Sequence, residues 1–157
     1  KRTTRKEWRK TYLKNQDEQK ALNAVERSAK KNIKKRHGNI SEFSKKDKAV
    51  HIHHIFPRHD FEDIYFYEEN LIRITVDEHL VRAHPNGNVL KIDKEFQVKL
   101  LFKKLESVKE SINKGDNFYK LPSFIKVLNK GYKVSLPTSL NVNDVERFLN
   151  SRSLIRD

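Results

Sequence analysis

The sequence lacks cysteine and methionine and has only four glycines and four prolines among its 157 residues. Without cysteine there is no disulfide, no thiolate zinc site and no cysteine nucleophile, so a metal ion must be held by nitrogen and oxygen ligands. The sequence also lacks both an apolar run near the roughly eighteen residues that cross a bilayer and the apolar stretch of a secretory signal. These absences favour a soluble, cytoplasmic protein without a membrane partner.

The first residue and the composition of the chain indicate how many domains it contains. Because the sequence begins at Lys1 and contains no methionine, we expect a fragment or processed form, with another domain of the same protein upstream. Apolar residues make up 36% of the chain and charged residues 35%. At this length, such a composition predicts one domain with a modest core.

Positive charge is concentrated in the N-terminal third of the chain. The formal net charge is +13, and residues 1–50 contain 17 Lys and Arg against 6 Asp and Glu. Residues 51–157 are nearly balanced, with 17 against 15. A basic segment of this kind indicates a polyanionic partner, because neutralising phosphates releases counterions. A well-solvated helix surface is the alternative.

Apolar spacing and capping residues predict a mostly helical α+β domain. Thr4 and Glu7 have capping-box spacing, and apolar residues at three- and four-residue steps predict helix over 4–36, in two pieces. Two strands are predicted at 50–56 and 70–76. The other predicted elements are a short helix that begins at Thr75 and closes before Pro85, helices from Asp93 to near Gly115, over 122–129 and from Asn143 or Asp144 to about Asn150, and a short strand at 132–136.

Histidine is concentrated in one segment. Six of the seven histidines lie between positions 51 and 84, four of them in "HIHHIFPRHD" at 51–60. Neutral imidazole is a common ligand of transition metals, and its pKa suits it to accept a proton near neutral pH. Hydrolysis of a phosphodiester uses both properties, since a cation stabilises charge on the phosphate and a base activates water. The cluster therefore predicts a metal-assisted hydrolytic site.

The motifs "HHIFP" and "ENLIRITVDEH" resemble those of the HNH endonucleases, whose ββα-metal fold is two antiparallel strands and a helix around one divalent cation. The resemblance covers about a quarter of the chain. It implies that His53 and His79 ligate the metal and that His54 is the general base. It also implies that Asn70, counted with His54 as a catalytic residue, braces the loop. The implied cation is Mg²⁺ in use, although Mn²⁺, Co²⁺, Ni²⁺ or Zn²⁺ can occupy such a site.

Two positions depart from the simplest form of this pattern. His84 follows His79 by five residues, which in an α-helix leaves the two side chains roughly 140° apart. His84 can be the third metal ligand if the helix unwinds before the next residue, a proline; otherwise it caps carbonyls or contacts phosphate. His53 and His54 are neighbours in a strand and should face opposite sides, so a twist or bulge near Pro57 is expected to bring them together.

Further side chains are assigned around this centre. His51 shares a strand face with His53 and is the alternative ligand, although a surface histidine is the simpler interpretation; His59 is expected in an exposed loop, with phosphate contact as the alternative. Basic side chains are expected to grip DNA phosphates without reading sequence. They are Arg5, Lys6, Arg9, Lys30, Lys31, Lys34, Lys35 and Arg36 in the N-terminal segment, and Arg58, Arg73 and Arg82 nearer the histidines, where a solvated surface arginine is the alternative.

The favoured function is a metal-dependent endonuclease that cuts duplex DNA. The alternatives are a module that binds nucleic acid around a structural, histidine-bound metal without cutting, and an HNH nuclease that acts on RNA. The stretch "AHPNGNVLKIDKEFQ" resembles restriction-type HNH proteins, which favours a restriction or other defence system over a toxin, a homing endonuclease or a guide-directed effector. The expected organisation is a basic helical arm (1–49), a ββα-metal core (50–92) and a helical C-terminal part (93–157), packed as a single domain.

Overall fold

The computed structural model describes residues 3–155, and its first element is one long helix, α1 (Arg5–His37). Thr4 and Glu7 form the predicted capping box: the Thr4 hydroxyl accepts from the Glu7 N–H at 3.2 Å, and the Glu7 carboxylate accepts from the Thr4 N–H at 2.8 Å. Gly38 ends the helix with a φ of 58°. The predicted division into two pieces is wrong, because neither glycine nor proline interrupts the helix.

Two short antiparallel strands follow, β1 (His51–His54) and β2 (Leu71–Ile74). Their residues pair one for one along all four positions. The expected bulge is therefore absent from the paired residues, and His53 and His54 follow the alternation of a regular strand. Both strands are shorter than predicted. A 3₁₀ turn (Glu68–Asn70) precedes β2, so Asn70 lies outside the strand.

The chain leaves β2 through a turn that is π-helical. Thr75 and Glu78 form the predicted capping box, in which the Glu78 N–H donates to the Thr75 hydroxyl at 3.1 Å and the Thr75 N–H donates to the Glu78 carboxylate at 2.8 Å. The π-helical turn spans Glu78–Ala83, and His84 then has an extended backbone before Pro85. A residue before proline disfavours the α region, which is why the helix closes at the predicted place.

Three further helices form the C-terminal part, α2 (Lys94–Lys114), α3 (Leu121–Tyr132) and α4 (Val142–Ser153). The ends of α2 agree with the prediction. The Asp93 side chain caps its first turn, and Gly115 ends it in the left-handed conformation.

The predicted strand at 132–136 is absent. The Asn129 side chain donates to the Leu136 carbonyl at 2.9 Å and accepts from the Leu136 N–H at 2.7 Å, so this backbone is satisfied without a neighbouring strand. Gly131 lies inside α3 and not after it. A Cβ at Gly131 would lie 2.3 Å from the Phe56 ring, so this glycine permits a close approach of α3 to the loop after β1.

The buried apolar side chains form one cluster that joins the strands to the helices. From α1 it includes Ala29 and Ile33, and from β2 it includes Leu71, Ile72 and Ile74. The architecture is thus α+β, predominantly helical, with a two-stranded antiparallel sheet. In the described part of the chain, no helix combines the length and the apolar character needed to span a bilayer.

Candidate metal centre

Three imidazoles from neighbouring elements converge at one point. His53 lies on β1, His79 lies on the π-helical turn, and His84 follows that turn directly. One nitrogen from each ring lies within 4.8 Å of the other two, and the ring centroids are 5.0, 5.2 and 5.0 Å apart. This cluster could hold one metal ion, and its members are the three ligands that the sequence predicted.

The π-helical turn explains how His79 and His84 meet. In a π-helix each bonded N–H reaches the carbonyl five residues back, so residues five apart lie nearly above one another. An α-helix would leave the two side chains roughly 140° apart. The wider turn, followed by the extended backbone of His84, brings both rings to the same side. His84 therefore belongs to the cluster and is not a free helix-end histidine.

Burial keeps His53 and His79 neutral. Burial, followed by the charges of the nearby histidines, lowers the pKa of His53 well below 6.5. The same causes lower the pKa of His79 to about 4. Both imidazoles are therefore unprotonated at neutral pH, which is the form that binds a metal ion.

Two contacts behind the rings determine which nitrogens face the cluster. His84 Nδ1 lies 2.9 Å from the Lys91 carbonyl oxygen, so Nδ1 donates and Nε2 is left as the ligand atom. His51 Nδ1 lies 2.9 Å from His79 Nδ1, and one of these two nitrogens donates to the other. With His79 Nδ1 as the donor, His79 Nε2 is available to a metal. His51 thus supports a ligand and is not part of the three-nitrogen set.

His54 faces α1, where a buried carboxylate meets it. Its Nε2 lies 3.2 Å from Oε1 of Glu26, whose side chain is 5% exposed. Burial and then Lys30 lower the pKa of His54 to about 4, against the opposing effect of Glu26. The charge of His54 is also one of the smaller causes that lower the pKa of His53 and of His79. The carboxylate favours the tautomer with the proton on Nε2, which leaves Nδ1 as the basic nitrogen.

Glu26 is the site residue that sequence analysis missed. Its Oε1 forms an ion pair with Lys30 Nζ at 2.8 Å, and its Oε2 accepts from Arg58 Nη1 at 2.8 Å. Burial raises the pKa of Glu26, but Lys30, Arg58 and His54 together outweigh it and the pKa is lowered. The carboxylate therefore stays ionised beside His54. The signal in the sequence is a carboxylate that shares a helix face with three apolar residues, Leu22, Ala29 and Ile33.

Asn70 braces the loop that follows β1. Its side-chain oxygen accepts from the Phe56 N–H at 2.9 Å, and its amide donates to the Phe56 carbonyl at 3.0 Å. Asn70 is fully buried, and its own carbonyl accepts from the Ile55 N–H at 2.9 Å. These bonds hold the backbone immediately after His54, in the position that the resemblance implies for the bracing asparagine.

Replacing Asn70 by alanine is expected to lower the free energy of unfolding by about 2–4 kcal/mol, because it leaves the N–H and the carbonyl of Phe56 buried without partners. Urea unfolding at neutral pH measures the loss. Asn88→Ala is the matched control, since Asn88 is exposed and bonds only the backbone of Leu90 two residues on. A loss at Asn70 no larger than the loss at Asn88 would contradict the bracing role.

Some of the basic side chains expected to grip DNA are engaged within the protein. Lys30 and Arg58 bind the Glu26 carboxylate, and Arg36 binds Asp116 at 2.5 Å. The remaining ones, with the exception of Arg73, are exposed: Arg5, Lys6, Arg9, Lys31, Lys34, Lys35 and Arg82.

Arg73 is buried and forms hydrogen bonds within the protein. It is 4% exposed, its Nε donates to the Gly38 carbonyl at 3.1 Å, and its Nη2 donates to Asn39 at 3.3 Å. These bonds tie β2 to the end of α1. The predicted DNA contact of Arg73 is wrong, because a buried guanidinium cannot reach a phosphate without breaking them.

The region therefore combines a three-imidazole cluster, a fourth imidazole paired with a buried carboxylate, and an asparagine that fixes the intervening loop. These features are built from side chains of α1, β1 and the segments that flank β2. Comparison of this chain with protein-family models, with curated proteins and with solved structures found no match.

Proposed function

We propose that this protein is a divalent-cation-dependent endonuclease of the HNH type that hydrolyses phosphodiester bonds in DNA. The observation that carries the proposal is the convergence of His53, His79 and His84, together with His54, the next residue after His53, whose imidazole lies beside a buried carboxylate. The first three offer a cation site and the fourth offers a proton acceptor. Hydrolysis of a phosphodiester uses both functions together. The basic surface of α1 adds attraction for a polyanion.

His54 is the general base in this proposal. Its Nδ1 takes a proton from water as the water oxygen bonds to phosphorus, and the bond between phosphorus and the 3′ oxygen breaks. The 3′ oxygen then takes a proton from solvent, so the products carry a 5′ phosphate and a 3′ hydroxyl. Glu26 holds the imidazole and stabilises it after it has gained the proton. A bound cation supplies charge stabilisation at the phosphate and at the leaving oxygen.

The ligand set favours a first-row transition ion. The cluster offers three imidazole nitrogens, and no carboxylate from residues 3–155 belongs to it. Imidazole suits Zn²⁺, Ni²⁺ and related ions, whereas Mg²⁺ prefers oxygen ligands and retains much of its water. We therefore expect Mn²⁺, Co²⁺ or Ni²⁺ to support cleavage at lower concentrations than Mg²⁺, the ion that the resemblance implies.

Digestion of supercoiled plasmid tests the proposal. Nicked and then linear DNA is expected with Mn²⁺ or Mg²⁺, none is expected with EDTA, and the ends should be ligatable without prior phosphorylation. Parallel reactions with linear duplex DNA, single-stranded DNA and RNA compare the substrates. Cleavage confined to RNA would reassign the substrate, and no cleavage with any ion or substrate would contradict nuclease activity. A restriction or other defence system remains the predicted setting.

A nucleic-acid-binding module with a structural metal is the second candidate. His53 and His84 are 4% and 6% exposed, and His51 supports His79 from behind, so the three nitrogens lie in a largely closed site. This candidate predicts that chelation unfolds the domain and that no substrate is cut. The nuclease predicts that chelation abolishes cleavage while the helical circular dichroism signal is largely retained, because the apolar core is independent of the cluster.

A further inference from the structure

The N-terminal half of α1 extends beyond the body of the protein. Every residue from position 3 to 21 is exposed, including Trp8 and Tyr12, whose rings stack with centroids 5.1 Å apart. In the described part of the chain, the first α1 side chain to bond another element is Gln19, whose amide donates to the Tyr65 hydroxyl at 2.9 Å. At about 1.5 Å per residue, roughly 20 Å of helix projects into solvent.

Six basic side chains lie along one side of α1. At about 100° per residue they fall within a sector of roughly 80°, and the acidic residues of the helix lie outside it. All six are exposed, and none forms an ion pair with another residue of the described chain. We call this set the basic stripe; its members are Arg5, Arg9, Lys20, Arg27, Lys31 and Lys34.

The basic stripe borders the candidate centre. Asn23, at the edge of the stripe, accepts from Arg58 Nη2 at 2.7 Å. Lys30, at the same edge, binds Glu26, which in turn meets His54. The stripe is therefore continuous with the side of the protein that carries His54.

The other flank of α1 has the opposite electrostatic character. Asn32 donates to the Glu68 carboxylate at 3.0 Å, and Arg36 binds Asp116. Acidic side chains of the body thus line this flank, and they would repel a phosphate backbone. The flank with the basic stripe therefore suits a polyanion better than this one.

We propose that the basic stripe binds the phosphate backbone of duplex DNA and extends the DNA contact of the protein on one side of the candidate centre. The first and last members of the stripe, Arg5 and Lys34, are 29 positions apart along a continuous helix. This is about 44 Å at 1.5 Å per residue, which exceeds the roughly 34 Å of one turn of B-DNA. The claim that the stripe lies beside the position of the cut rests on the proposed function. Binding of DNA to the stripe does not, because it is measured without cleavage.

Duplex DNA fits the stripe better than a single strand does. The six basic side chains follow one side of a continuous helix, which suits backbone contact with a stiff duplex; Leu13 and Gln16 also lie within this sector. Proteins that bind single strands place aromatic side chains along the groove so that successive bases stack on them. On the projecting part of α1, Trp8 and Tyr12 stack on each other.

Two variants with equal loss of charge test the proposal. Arg9→Gln with Lys20→Gln removes two charges from the stripe, and Lys10→Gln with Lys14→Gln removes two from other faces of the same exposed segment. Binding to a labelled 40-base-pair duplex is followed by fluorescence anisotropy in EDTA, over a range of salt concentrations. Circular dichroism verifies equal helix content, which glutamine favours.

The stripe variant is expected to bind at least about tenfold more weakly and to reduce the slope of log K against log salt by about two. The Lys10 and Lys14 variant should change neither quantity by a comparable amount. Equal losses in the two variants would show a dependence on net charge alone and would overturn the proposal. So would unchanged binding in the stripe variant, or tighter binding of a single strand of equal length.

Trp8 gives a second readout, because it is the one tryptophan in the sequence. Its exposed ring lies on the projecting part of α1, near Arg5 and Arg9 along the helix. Its emission should change when the duplex is added, and an unchanged emission would contradict contact with this segment. Plasmid digestion is measured separately. Binding through the stripe without any cleavage would contradict the proposed nuclease activity and leave the proposed DNA binding by the stripe intact.

Discussion

His54→Ala is expected to reduce the rate of plasmid cleavage by about 10²–10⁴-fold, the usual contribution of a general base. The imidazole is unprotonated at neutral pH, because burial and Lys30 lower its pKa to about 4. Its Nε2 faces Glu26 and its Nδ1 is the nitrogen left to accept a proton. Alanine removes this acceptor without touching the three-imidazole cluster, so metal binding should be retained.

His59→Ala is the matched control for this variant. The His59 side chain is 47% exposed and lies beside Asp60 in the loop that follows β1. Cleavage by His59→Ala should stay within about twofold of the unmodified protein, since exposed substitutions rarely disturb a fold. Equal rates for the two variants would remove His54 from the mechanism. Loss of metal binding in His54→Ala would show that its role is to shape the cluster.

Lys104→Ala is expected to lower the free energy of unfolding by about 3–5 kcal/mol, the largest stability effect that we predict. Lys104 and Glu42 are both fully buried, and the ammonium donates to Glu42 Oε1 at 2.6 Å and to the Tyr119 hydroxyl at 3.0 Å. Removing the ammonium leaves a carboxylate uncompensated in the core. That carboxylate also accepts from the Arg73 N–H at 2.7 Å, so β2 should be weakened with it.

Lys103→Ala supplies the control on the same helix. Lys103 forms a partly exposed ion pair with Glu106 at 3.4 Å, and such pairs contribute about 0–1 kcal/mol. Urea unfolding of both variants at neutral pH gives the comparison. A cost for Lys104→Ala close to that for Lys103→Ala would contradict a buried pair. Replacing Glu42 by glutamine together with Lys104 by methionine should recover part of the loss, because no unpaired charge is then left in the core.

The local features of the fold could be predicted from the sequence. Both capping boxes are present because they depend on residues three positions apart, and the glycine ends of α1 and α2 depend on local conformation. Asn70 also lies where the motif implies. The helix predicted over 122–129 in fact continues to Tyr132, and the glycine inside it, Gly131, has a tertiary cause in the packing of α3 against Phe56.

The candidate site could be predicted only where its residues share a motif. His53, His79 and His84 were found because they are clustered in sequence, but their convergence depends on a π-helical turn that spacing alone did not predict. Glu26 lies 28 positions before His54 and reaches it through the packing of α1 on the strands. A contact of this kind between distant segments leaves no local pattern.

The sequence predicted how much positive charge α1 carries, but not how its charged sides are oriented relative to the rest of the protein. The sequence shows that α1 is basic, yet only its packing shows which side borders His54 and which side meets Asp116. Arg36 and Arg73 were expected to contact DNA and are instead held by partners from other elements. An arginine in a sequence does not reveal whether its partner is a phosphate or a buried carbonyl.

Titration of the metal-free protein with Co²⁺ by calorimetry tests most directly whether His53, His79 and His84 form a cation site. The account predicts one ion per chain, loss of binding in His79→Ala and unchanged stoichiometry in His59→Ala. Binding that is indifferent to His79, or no binding of Co²⁺, Mn²⁺ or Zn²⁺ at neutral pH, would contradict it.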